Sequence, residues 1–417
     1  MKSIYFFLLS FFVCAFGYGQ TDKERFIGDI LQRNADSLGR DIIQNPAKYK
    51  LQIIYTQINR DKKNHPKFTT YTYRAGLNEY FYPASTVKIY SSALALEKIN
   101  QLKIKDLDIT DIMLTDSSYA GQTAVIKDST AESLKPSIAH YIKKILITSD
   151  NDAHNRLYEF IGQKDFNEIL KSKGYTDTRI THRLSVPLTT EENRHTNGIT
   201  FYDKQTNLQL YQQKPAYNNL NFAYKGSIPL GKGYVKGDDI VNKPMEFNEK
   251  NFSSLEDLHH IILSLMFADK YSEVKTFDLT ADDYRFMQQY MSQLPRETLF
   301  PDYHELPDNY CKFLLYGDKN KEKIPDQIRI FNKIGNAYGF TIDNAYIVDF
   351  SNNVEFALSA VIYTNENEIL NDGKYEYDKT AQPFLGNLGR IFYHYELNRK
   401  KKNLPDLSAF KYGYEKN

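Results

Sequence analysis

The stretch "YFYPASTVKIYSSALALEKI", from Tyr80 to Ile99, decides how the rest of the sequence is interpreted. It predicts a helix that begins near Ser85, just after Pro83, with apolar residues around most of its circumference. A helix that is apolar nearly all round belongs in a protein core. Lys88 nevertheless lies in the first turn of this helix, one turn after Ser85, so the pair requires an explanation.

Ser85 and Lys88 are spaced for proton transfer. Residues i and i+3 share a helix face, so the Lys88 amine can reach the Ser85 hydroxyl. The unpaired N–H groups of a helix N-terminus also favour negative charge that develops there. To accept the serine proton near pH 7, Lys88 needs a pKa about 3 units below its free value, which corresponds to about 4 kcal/mol. A helix N-terminus supplies only about 0.3–1 kcal/mol, so this mechanism requires burial and a second positive charge nearby.

The structural alternative is that Ser85 caps the helix while Lys88 extends to water. Ser-x-x-Lys is a weak signal, because about two such pairs are expected by chance in a chain of this length. This chain has three, and the other two, "SEVK" from Ser272 and "SAFK" from Ser408, lie in a polar connection and in the C-terminal tail. Only the first pair opens an apolar helix.

Two further motifs supply partners for this pair. "LITSDNDAHNRL" contains Ser149-Asp150-Asn151 at a predicted junction of two helices, and chance would produce this tripeptide only about 0.1 times here. "IFNKIGNAYGF" places Lys333-Ile334-Gly335 at the end of a predicted strand. Lys411-Tyr412-Gly413 has the same pattern, but no strand leads into it. Lys333 is therefore the candidate for the second positive charge that Lys88 requires.

The three motifs together resemble the S-x-x-K, S-D-N and K-T-G set of class A β-lactamases and penicillin-binding proteins, in the same order along the chain. The resemblance extends over "YPASTVKIYSSALALE", "ITSDNDAHNRLYEFIGQKDFNEILKSKGYTDTRI" and the closing strands "IRIFNKIGNAYGFTIDNAYIVDFSNNVEFALSAVIYT". It covers most of the chain outside residues 203–250 and 297–326. It implies neither a metal nor an organic cofactor.

The resemblance implies four catalytic residues. Ser85 would be the acylated nucleophile, and Lys88 would be its general base or proton relay. Ser149 would pass a proton to the leaving amine, with the charge of Lys333 in support.

The resemblance also implies the substrate-binding residues. Asn151 would hydrogen-bond the side-chain amide of the substrate, and Gly335 and Asn336 would border the substrate on the strand. The backbone N–H groups of Ser85 and Asn336 would form the oxyanion hole.

Two departures from the family pattern affect the expected activity. Ile334 replaces the threonine of K-T-G, so a hydroxyl that meets the substrate carboxylate is missing, and Asn336 and Thr341 are the candidates to replace it. The glutamate that in class A enzymes activates the water for removal of the acyl group is also missing. In the corresponding segment, "THRLSVPLTTEENRHTNGITF", the family spacing leads to the neighbourhood of Ser185. Glu191 and Glu192 are the alternative candidates for a deacylation base, but they come too late in this loop, and we expect them to be solvated loop charges.

The expected function follows from these motifs and departures. The leading hypothesis is an exported serine hydrolase that hydrolyses β-lactam bonds through an acyl-enzyme at Ser85. The alternatives are a carboxypeptidase-like, penicillin-binding enzyme that acts on peptidoglycan peptides, and an envelope-binding protein without turnover. "PASTVK" is also similar to class D β-lactamases, against which the S-D-N block and the absence of tryptophan count. The expected partner is a β-lactam or a peptidoglycan-derived acyl substrate.

The order of predicted elements indicates the fold class. Helical periodicity covers 22–45, and "YKLQIIYTQINRD" and "FTTYTYRAG" predict a strand pair with a turn around Asn64-His65-Pro66. Helices follow, and "DQIRIFNKIG", "NAYIVDFS" and "EFALSAVIYT" then predict three strands before the closing helix "PFLGNLGRIFYHYELNR". Strands near both ends with helices between them predict one sheet built from both ends of the chain.

We therefore expect an α/β fold of the β-lactamase/transpeptidase type, with an antiparallel sheet flanked by helices plus an all-helical subdomain. A single domain is expected at 20–417, with an α/β subdomain over 20–82 and 327–417. The helical subdomain would take 83–200 and 251–296, and the site would lie between the two. Residues 203–250 are expected to be an inserted loop or hairpin, and 297–326 a second irregular segment.

The N-terminus has the layout of a secretory signal peptide. Lys2 is followed by an apolar run from Ile4 to Phe16 and by small residues up to Gly19. The run is too short to span a bilayer. We expect residues 1–19 to be removed and the protein to be periplasmic or secreted, without stable membrane insertion. An uncleaved anchor is the alternative, and a lipoprotein at Cys14 is disfavoured by the bulky residues that precede it.

The composition excludes several classes of protein. With 417 residues, 41% hydrophobic and 25% charged, the chain is ordinary for a globular protein. A formal net charge of +1 gives no argument for a nucleic-acid partner. Outside the leader only Cys311 remains, so a disulfide-built scaffold is excluded. His259 and His260 are neighbours on a helix and cannot chelate one metal as residues at i and i+4 do. The sequence does not determine the oligomeric state.

Overall fold

The computed structural model describes residues 22–76 and 79–415, with side chains from residue 25 onward. The predicted signal peptide at residues 1–19 lies outside this range. Within it, no helix combines the length and the apolar character that a membrane crossing requires. The helices of the described residues are α1 (Asp22–Asn34), α2 (Ser37–Gln44), α3 (Lys88–Leu102), α4 (Ile138–Thr148), α5 (Asn151–Ile161), α6 (Gln163–Lys173), α7 (Leu255–Phe267), α8 (Ala281–Ser292) and α9 (Gln382–Asn398).

The strands of the described residues differ greatly in length, and the five longest of them form the central sheet. They are β1 (Gln52–Arg60), β2 (Pro66–Tyr73), β3 (Ile112–Thr115), β4 (His195–Thr196), β5 (Ile199–Tyr202), β6 (Gln209–Gln213), β7 (Ala216–Tyr217), β8 (Pro229–Leu230), β9 (Gly233–Lys236), β10 (Asp239–Val241), β11 (Met245–Glu246), β12 (Ile328–Ala337), β13 (Phe340–Asp349), β14 (Val354–Tyr363) and β15 (Ile369–Leu370).

The central sheet is antiparallel and has the strand order β12-β13-β14-β1-β2. The predicted strand pair and the three predicted C-terminal strands therefore join in one sheet, as the sequence pattern indicated. β12 is an edge strand, so one side of its backbone is free to face other elements or a ligand. β13 and β14 lie inside the sheet and are buried almost throughout, including the polar residues Thr341, Asp343 and Asn344 of β13.

The two faces of the sheet pack against different sets of helices. Along β12, Phe331 belongs to the core shared with α3 to α8, whereas Ile330 and Ile334 belong to the core shared with α1, α2 and α9. This follows from the period of two in a strand, which sends successive side chains to opposite faces. Lys333 has the same parity as Phe331 and therefore points toward the helical side.

Helix α7 lies directly on the sheet. It packs on β1, β13 and β14 as well as on α8, because its sequence is apolar nearly all round and one face alone cannot bury it. The sequence pattern predicted that residues 251–296 belong to the helical subdomain, and it did not indicate that α7 also packs on the sheet. His259, on α7, lies fully buried between the hydroxyls of Thr56 and Ser359, each 2.8 Å from a ring nitrogen.

Other segments differ from the predicted pattern or refine it. The helical stretch predicted over 22–45 divides into two helices, because Asp36 caps α2 by accepting from Gly39 N at 2.7 Å. Residues 203–250 form only short strands, of which β6 pairs with β5 and β9 pairs with β15. No helix or strand of the described chain lies between Glu297 and Ile328, as expected for an irregular segment.

A buried ion pair joins three strands of the sheet. Arg60 on β1 donates two hydrogen bonds of 2.6 Å to Glu355 on β14, and Tyr346 on β13 donates to the same carboxylate at 2.8 Å. The side chain of Glu355 is fully buried and that of Arg60 is 6% exposed. Removing one charge of such a pair leaves the other charge buried without compensation.

We therefore expect Glu355→Gln to lower the free energy of unfolding by about 3–5 kcal/mol. Urea unfolding followed by circular dichroism measures this change. Glu168→Gln is the matched control, since Glu168 forms an exposed pair with Lys164 and should change stability by less than about 0.5 kcal/mol. If both substitutions changed the free energy of unfolding equally, the inference that the buried pair of Arg60 and Glu355 stabilises the sheet would be wrong.

Candidate active site

Ser85 lies in a tight turn that leads into α3. Residues Ala84–Val87 form a 3₁₀ turn, and the α-helix begins at Lys88. Ser85 makes no capping hydrogen bond with its side chain, and Lys88 is fully buried. The structural alternative, a capping serine and a lysine that reaches water, is therefore wrong. Thr86 instead closes the turn by donating to the carbonyl of Pro83 at 2.5 Å.

The Lys88 amine contacts the Ser149-Asp150-Asn151 segment. Its Nζ donates to the carbonyl oxygen of Ser149, to Ser149 Oγ at 3.2 Å and to Asn151 Oδ1 at 2.7 Å. Among the described residues, Ser85 Oγ has no hydrogen-bond partner. Lys88 and Ser85 remain one turn apart on the same face, so a rotation of the lysine side chain can bring the amine to the serine.

The Ser149-Asp150-Asn151 segment is the junction of α4 and α5. Ser149 ends α4 in the left-handed conformation, with φ of 62°. Asp150 begins α5 by accepting from Ala153 N at 2.8 Å, and its carboxylate lies 3.7 Å from Lys144 Nζ. The turn directs the Ser149 hydroxyl and the Asn151 amide toward Lys88, so Asp150 has a positioning role in the segment.

Lys333 approaches the same hydroxyl from β12. Its Nζ donates to Ser149 Oγ at 2.8 Å and to the carbonyl of Ile334 at 2.9 Å. Burial lowers the pKa of Lys88 well below its ordinary value, and the charge of Lys333 lowers this pKa further. Burial also lowers the pKa of Lys333 to about 8. The second lysine that the sequence argument required is therefore present at the site.

The strand and the serine turn touch at Gly335. A Cβ at this position would lie 2.8 Å from the carbonyl oxygen of Pro83, 3.0 Å from Ser85 N and 3.1 Å from Ala84 Cβ. Only glycine allows the backbone of β12 to come this close to the turn. The edge of the sheet thus borders the backbone N–H of Ser85.

The register of β12 and β13 determines which way Asn336 N–H points. Ala337 pairs with Phe340 across the two-residue turn Tyr338-Gly339, whose φ values are both positive. In such a hairpin the pair that flanks the turn is hydrogen-bonded and the next pair is not. Asn336 pairs next, with Thr341. Its N–H is therefore free of β13 and faces outward from the sheet edge, on the side of Ser85.

The two candidates to replace the missing threonine hydroxyl differ in position. Thr341 is fully buried and its Oγ1 has no hydrogen-bond partner among the described residues. It cannot meet a substrate in the cleft. Asn336 borders the cleft and its Oδ1 is also without a partner in the described part of the chain. Ile334 borders the cleft, but its side chain packs in the core shared with α1, α2 and α9, so it supplies no group in place of the missing hydroxyl.

The loop after α6 carries Ser185, the residue near which the family spacing would place the deacylating glutamate. Asn151 Nδ2 donates to Ser185 Oγ at 2.9 Å, and Ser185 has a left-handed backbone with φ of 55°. Glu191 is 58% exposed and lies 3.8 Å from both Arg194 and His195. Glu192 accepts from the backbone and hydroxyl of Thr189, which lowers the pKa of this exposed carboxyl. Both glutamates thus make contacts within their own loop.

Two cavities meet at Ser85, Asn151 and Asn336, which line both of them. One has a volume of about 490 Å³ and contains Ser185 and four tyrosines, and the other has about 470 Å³ and contains Ser149 and Ile334. The tyrosines are Tyr82, Tyr338, Tyr375 and Tyr377.

Sequence reasoning missed the residues that the irregular segment contributes to the second cavity. They are Pro307, Asn309, Tyr310, Cys311, Phe313 and Asn320. A buried polar network holds this segment on the sheet: Asp343 accepts from the backbone N–H groups of Phe313 and Leu314, and Lys312 donates to Asn332 at 2.7 Å. No periodicity marks such a segment in a sequence, so only the contacts show that it belongs to the site.

The described residues hold no group of three or more His, Cys, Asp or Glu side chains that could bind a metal ion. His259 is held by two hydroxyls inside the core, and burial lowers its pKa to about 3. His260 accepts or donates one hydrogen bond with Tyr271 at 2.5 Å. Both histidines therefore have structural partners, in agreement with the sequence argument.

The fold and the site together define a class of protein: an α/β protein with a serine beside two buried lysines, at the edge of an antiparallel sheet that faces a helical subdomain. Residues 41–220 match the model of the β-lactamase enzyme family. This segment includes Ser85, Lys88 and Ser149 and ends before Lys333. The predicted resemblance to the β-lactamase and penicillin-binding serine hydrolases is thereby confirmed, as is the predicted α/β fold class. No curated protein sequence matches the chain.

Several solved structures are similar to the chain. A β-lactamase from Burkholderia ambifaria is 14% identical, with a TM-score of 0.48, and the alignment covers 85% of this chain and 97% of the other. A β-lactamase from Sphaerobacter thermophilus DSM 20745 is 11% identical, with a TM-score of 0.46 and coverage of 86% and 96%. The β-lactamase from Streptomyces albus G is 13% identical, with a TM-score of 0.45 and coverage of 90% and 99%.

The lowered pKa of Lys333 leads to a prediction about stability and pH. Below about pH 8 the folded protein carries this buried charge, whereas between pH 8 and about 10.5 it releases a proton that the unfolded chain keeps. The stability of the wild type should therefore rise over this window relative to Lys333→Met, by up to about 3 kcal/mol.

Urea unfolding of both proteins at pH values from 7 to about 10.5 measures this difference. Lys164→Met is the control, because Lys164 is 55% exposed and its substitution should leave the pH dependence as in the wild type. A difference between wild type and Lys333→Met that stays constant over the window would contradict the lowered pKa.

Proposed function

We propose that this protein is an exported serine hydrolase that forms an acyl-enzyme at Ser85 with β-lactam or related amide bonds and releases the acyl group slowly. The observation that carries this proposal is the position of the Ser149 hydroxyl between two buried lysines. It lies 3.2 Å from Lys88 Nζ and 2.8 Å from Lys333 Nζ. Such a chain of groups can move a proton from a serine nucleophile to a leaving amine.

Acylation begins when Ser85 Oγ attacks the amide carbonyl. Lys88, whose lowered pKa favours the neutral amine, takes the hydroxyl proton. Catalytic hydrogen bonds are often long in the absence of substrate, which is consistent with a Lys88 amine bonded to Ser149 and Asn151 in the free protein. The negative oxygen of the tetrahedral intermediate is stabilised by the backbone N–H groups of Ser85 and Asn336.

Breakdown of the tetrahedral intermediate needs a proton on the leaving nitrogen. Ser149 donates this proton and regains one from Lys88 or Lys333, since it is hydrogen-bonded to both amines. The C–N bond breaks and the acyl group stays on Ser85. Asn151 Nδ2 and the outer edge of β12 then hold the acyl chain in the cleft.

Deacylation is the slow step in this proposal. Class A-like turnover requires a carboxylate that activates water, and the position next to Asn151 carries Ser185 instead. A serine hydroxyl is a poor base at neutral pH. This favours a penicillin-binding enzyme that acts on peptidoglycan peptides over an efficient β-lactamase. The hydrogen bonds that join Lys88, Ser149 and Lys333 beside Ser85 argue against a binding protein that has lost its chemistry.

The proposal predicts a covalent adduct between the mature protein and a penicillin. Intact mass measured over time after mixing should increase by the mass of one penicillin, and peptide mapping should place the adduct on Ser85. Ser85→Ala should show no adduct. The adduct should persist for minutes or longer, and loss within seconds would mean efficient β-lactamase turnover. Absence of any adduct at millimolar penicillin would contradict the proposal.

Ser185→Glu tests the assignment of the deacylation position. A carboxylate beside Asn151 can act as general base for water, and such catalysis contributes roughly 10²–10⁴-fold. We expect the penicillin adduct to decay at least about tenfold faster in this variant than in the wild type. Glu192→Gln is the control and should leave the decay rate unchanged. An equally persistent adduct in Ser185→Glu would contradict the role of this position.

A further inference from the structure

The position of Ser149 shows in which of the two cavities the acyl chain of a substrate lies. This inference rests on the proposed function, in which Ser149 protonates the leaving group. Ser149 lines the cavity of about 470 Å³ and is not among the described residues that line the cavity of about 490 Å³. The leaving group therefore departs toward the first cavity, and the acyl chain lies in the second, which we call the acyl cavity.

A third cavity, of about 480 Å³, continues the acyl cavity. Tyr82, Ser185 and Tyr338 line both of them, and the rings of the two tyrosines pack edge to face with their centroids 5.0 Å apart. An acyl chain that fills the acyl cavity thus reaches the third cavity by passing these three residues. We call this third cavity the extension cavity.

The walls of the extension cavity come from the loop after α6 and from residues 246–250 of the inserted segment. Thr190 of the loop donates to Glu249 of the insertion at 2.8 Å, which joins the two walls. Phe247 is fully buried, and its ring packs against the two tyrosines that line both cavities, at centroid distances of 6.0 and 5.0 Å. The inserted segment is therefore fixed beside the active site and supplies one side of this cavity.

The acyl cavity and the extension cavity differ in the chemistry of their linings. The acyl cavity has no charged side chain among its described lining residues, and four tyrosines form much of its wall. The extension cavity has few apolar side chains beyond Val186, Pro187 and Leu188, and most of its described lining residues carry hydroxyl, amide or charged groups. A compact apolar acyl group would fill the first cavity alone, whereas a chain of peptide groups finds hydrogen-bond partners in the second as well.

Lys250 is the charged side chain of the extension cavity that lacks a partner among the described residues. Arg183 is paired with the buried carboxylate of Glu159 at 3.1 Å. Glu246 and Glu249 both accept hydrogen bonds from side-chain hydroxyls. Lys250 is half-buried, and its amine makes no hydrogen bond or ion pair with any residue that the structure describes.

The amine of Lys250 is placed to act on a ligand in the extension cavity. Burial lowers the pKa of Lys250, although the charge of Glu249 opposes this shift. Burial also lowers the pKa of His182 to about 4, and the nearby charge of Lys250 contributes to this shift. The lysine charge thus lies close to the ring of His182, which lines the same cavity. A half-buried ammonium group without an acceptor has lost part of its hydration, and an oxygen of a substrate would replace it.

We propose that the extension cavity lengthens the acyl site and selects acyl donors whose acyl chain is an extended peptide. Lys250 is the specificity-determining residue and donates to a peptide carbonyl oxygen of that chain. A neutral acceptor suffices, since Glu249 already offsets part of the lysine charge. This substrate class agrees with the peptidoglycan peptides of the proposed function, and it gives the inserted segment a part in binding them.

Two penicillins that share one nucleus and differ in the 6-acyl group test this proposal. The short one carries an acetyl group, and the long one carries an N-acetyl-triglycyl group, whose three residues add up to about 10 Å. In each reaction the bond from Ser85 Oγ to the lactam carbonyl carbon forms, the lactam C–N bond breaks and the serine proton passes to the lactam nitrogen. Intact mass followed over time gives the second-order rate constant of acylation for each penicillin.

The ratio of the two rate constants, long over short, is compared between variants, because a loss of folded protein cancels in it. We expect the wild type to acylate about three- to tenfold faster with the long penicillin, from the hydrogen bond to the lysine. Lys250→Met should lower the ratio toward one, and Lys250→Arg, which keeps a cationic donor, should retain most of it. Asn248→Trp should also lower the ratio, since Asn248 lines the extension cavity but not the acyl cavity and the larger ring fills that space.

Asn219→Trp is the matched control for the added ring. Asn219 is exposed and lines neither cavity, so the ratio should stay as in the wild type. A ratio near one in the wild type, or an unchanged ratio in either Lys250→Met or Asn248→Trp, would overturn the inference while leaving the acyl-enzyme intact. Absence of an adduct on Ser85 with both penicillins would overturn the proposed function and the inference together.

Discussion

The site depends on one hydroxyl that three separate elements hold in place. Ser149 lies at the junction of α4 and α5, Lys88 reaches it from α3, and Lys333 reaches it from β12. Two lysines this close repel each other if both are charged, and burial adds to this cost. The protein keeps both by surrounding them with hydrogen-bond acceptors, the carbonyls of Ser149 and Ile334 and the amide of Asn151. Burial nevertheless lowers the pKa of both amines, and the charge of Lys333 lowers the pKa of Lys88 further.

The sheet supplies the geometry that this arrangement needs. Because β12 is an edge strand, one row of its backbone groups is free, and the register with β13 makes Asn336 part of that row. The absence of a side chain at Gly335 lets this edge come within contact of the turn that carries Ser85. None of the described residues that line the two cavities belongs to the interior strands or to α7, and these elements fix the position of the edge instead.

The two departures from the family pattern, at Ile334 and Ser185, have a similar expected effect. Ile334 stands where the K-T-G pattern has a threonine, and Ser185 lies beside Asn151 without a carboxylate. Under the proposed function, both differences affect steps around acylation rather than acylation itself. The irregular segment around Cys311 and the turn that carries Asp378 contribute to the lining of the cavity of about 470 Å³. The residues of the proposed acylation are present while their surroundings differ from the family pattern, which agrees with the slow turnover that we propose.

The sequence by itself determined the elements whose signal is local. The apolar helix after Ser85, the helix junction at Ser149 and the three C-terminal strands follow from periodicity and capping, which depend on neighbouring residues alone. The sequence also indicated that Lys88 needs a second positive charge nearby to lower its pKa, and the K-x-G motif gave Lys333 as the candidate. Only the tertiary structure decided which way the Lys88 amine points, that Thr341 is buried away from the cleft, and that residues 307–320 form one wall of it. These features depend on contacts between residues distant in sequence, and no local pattern encodes them.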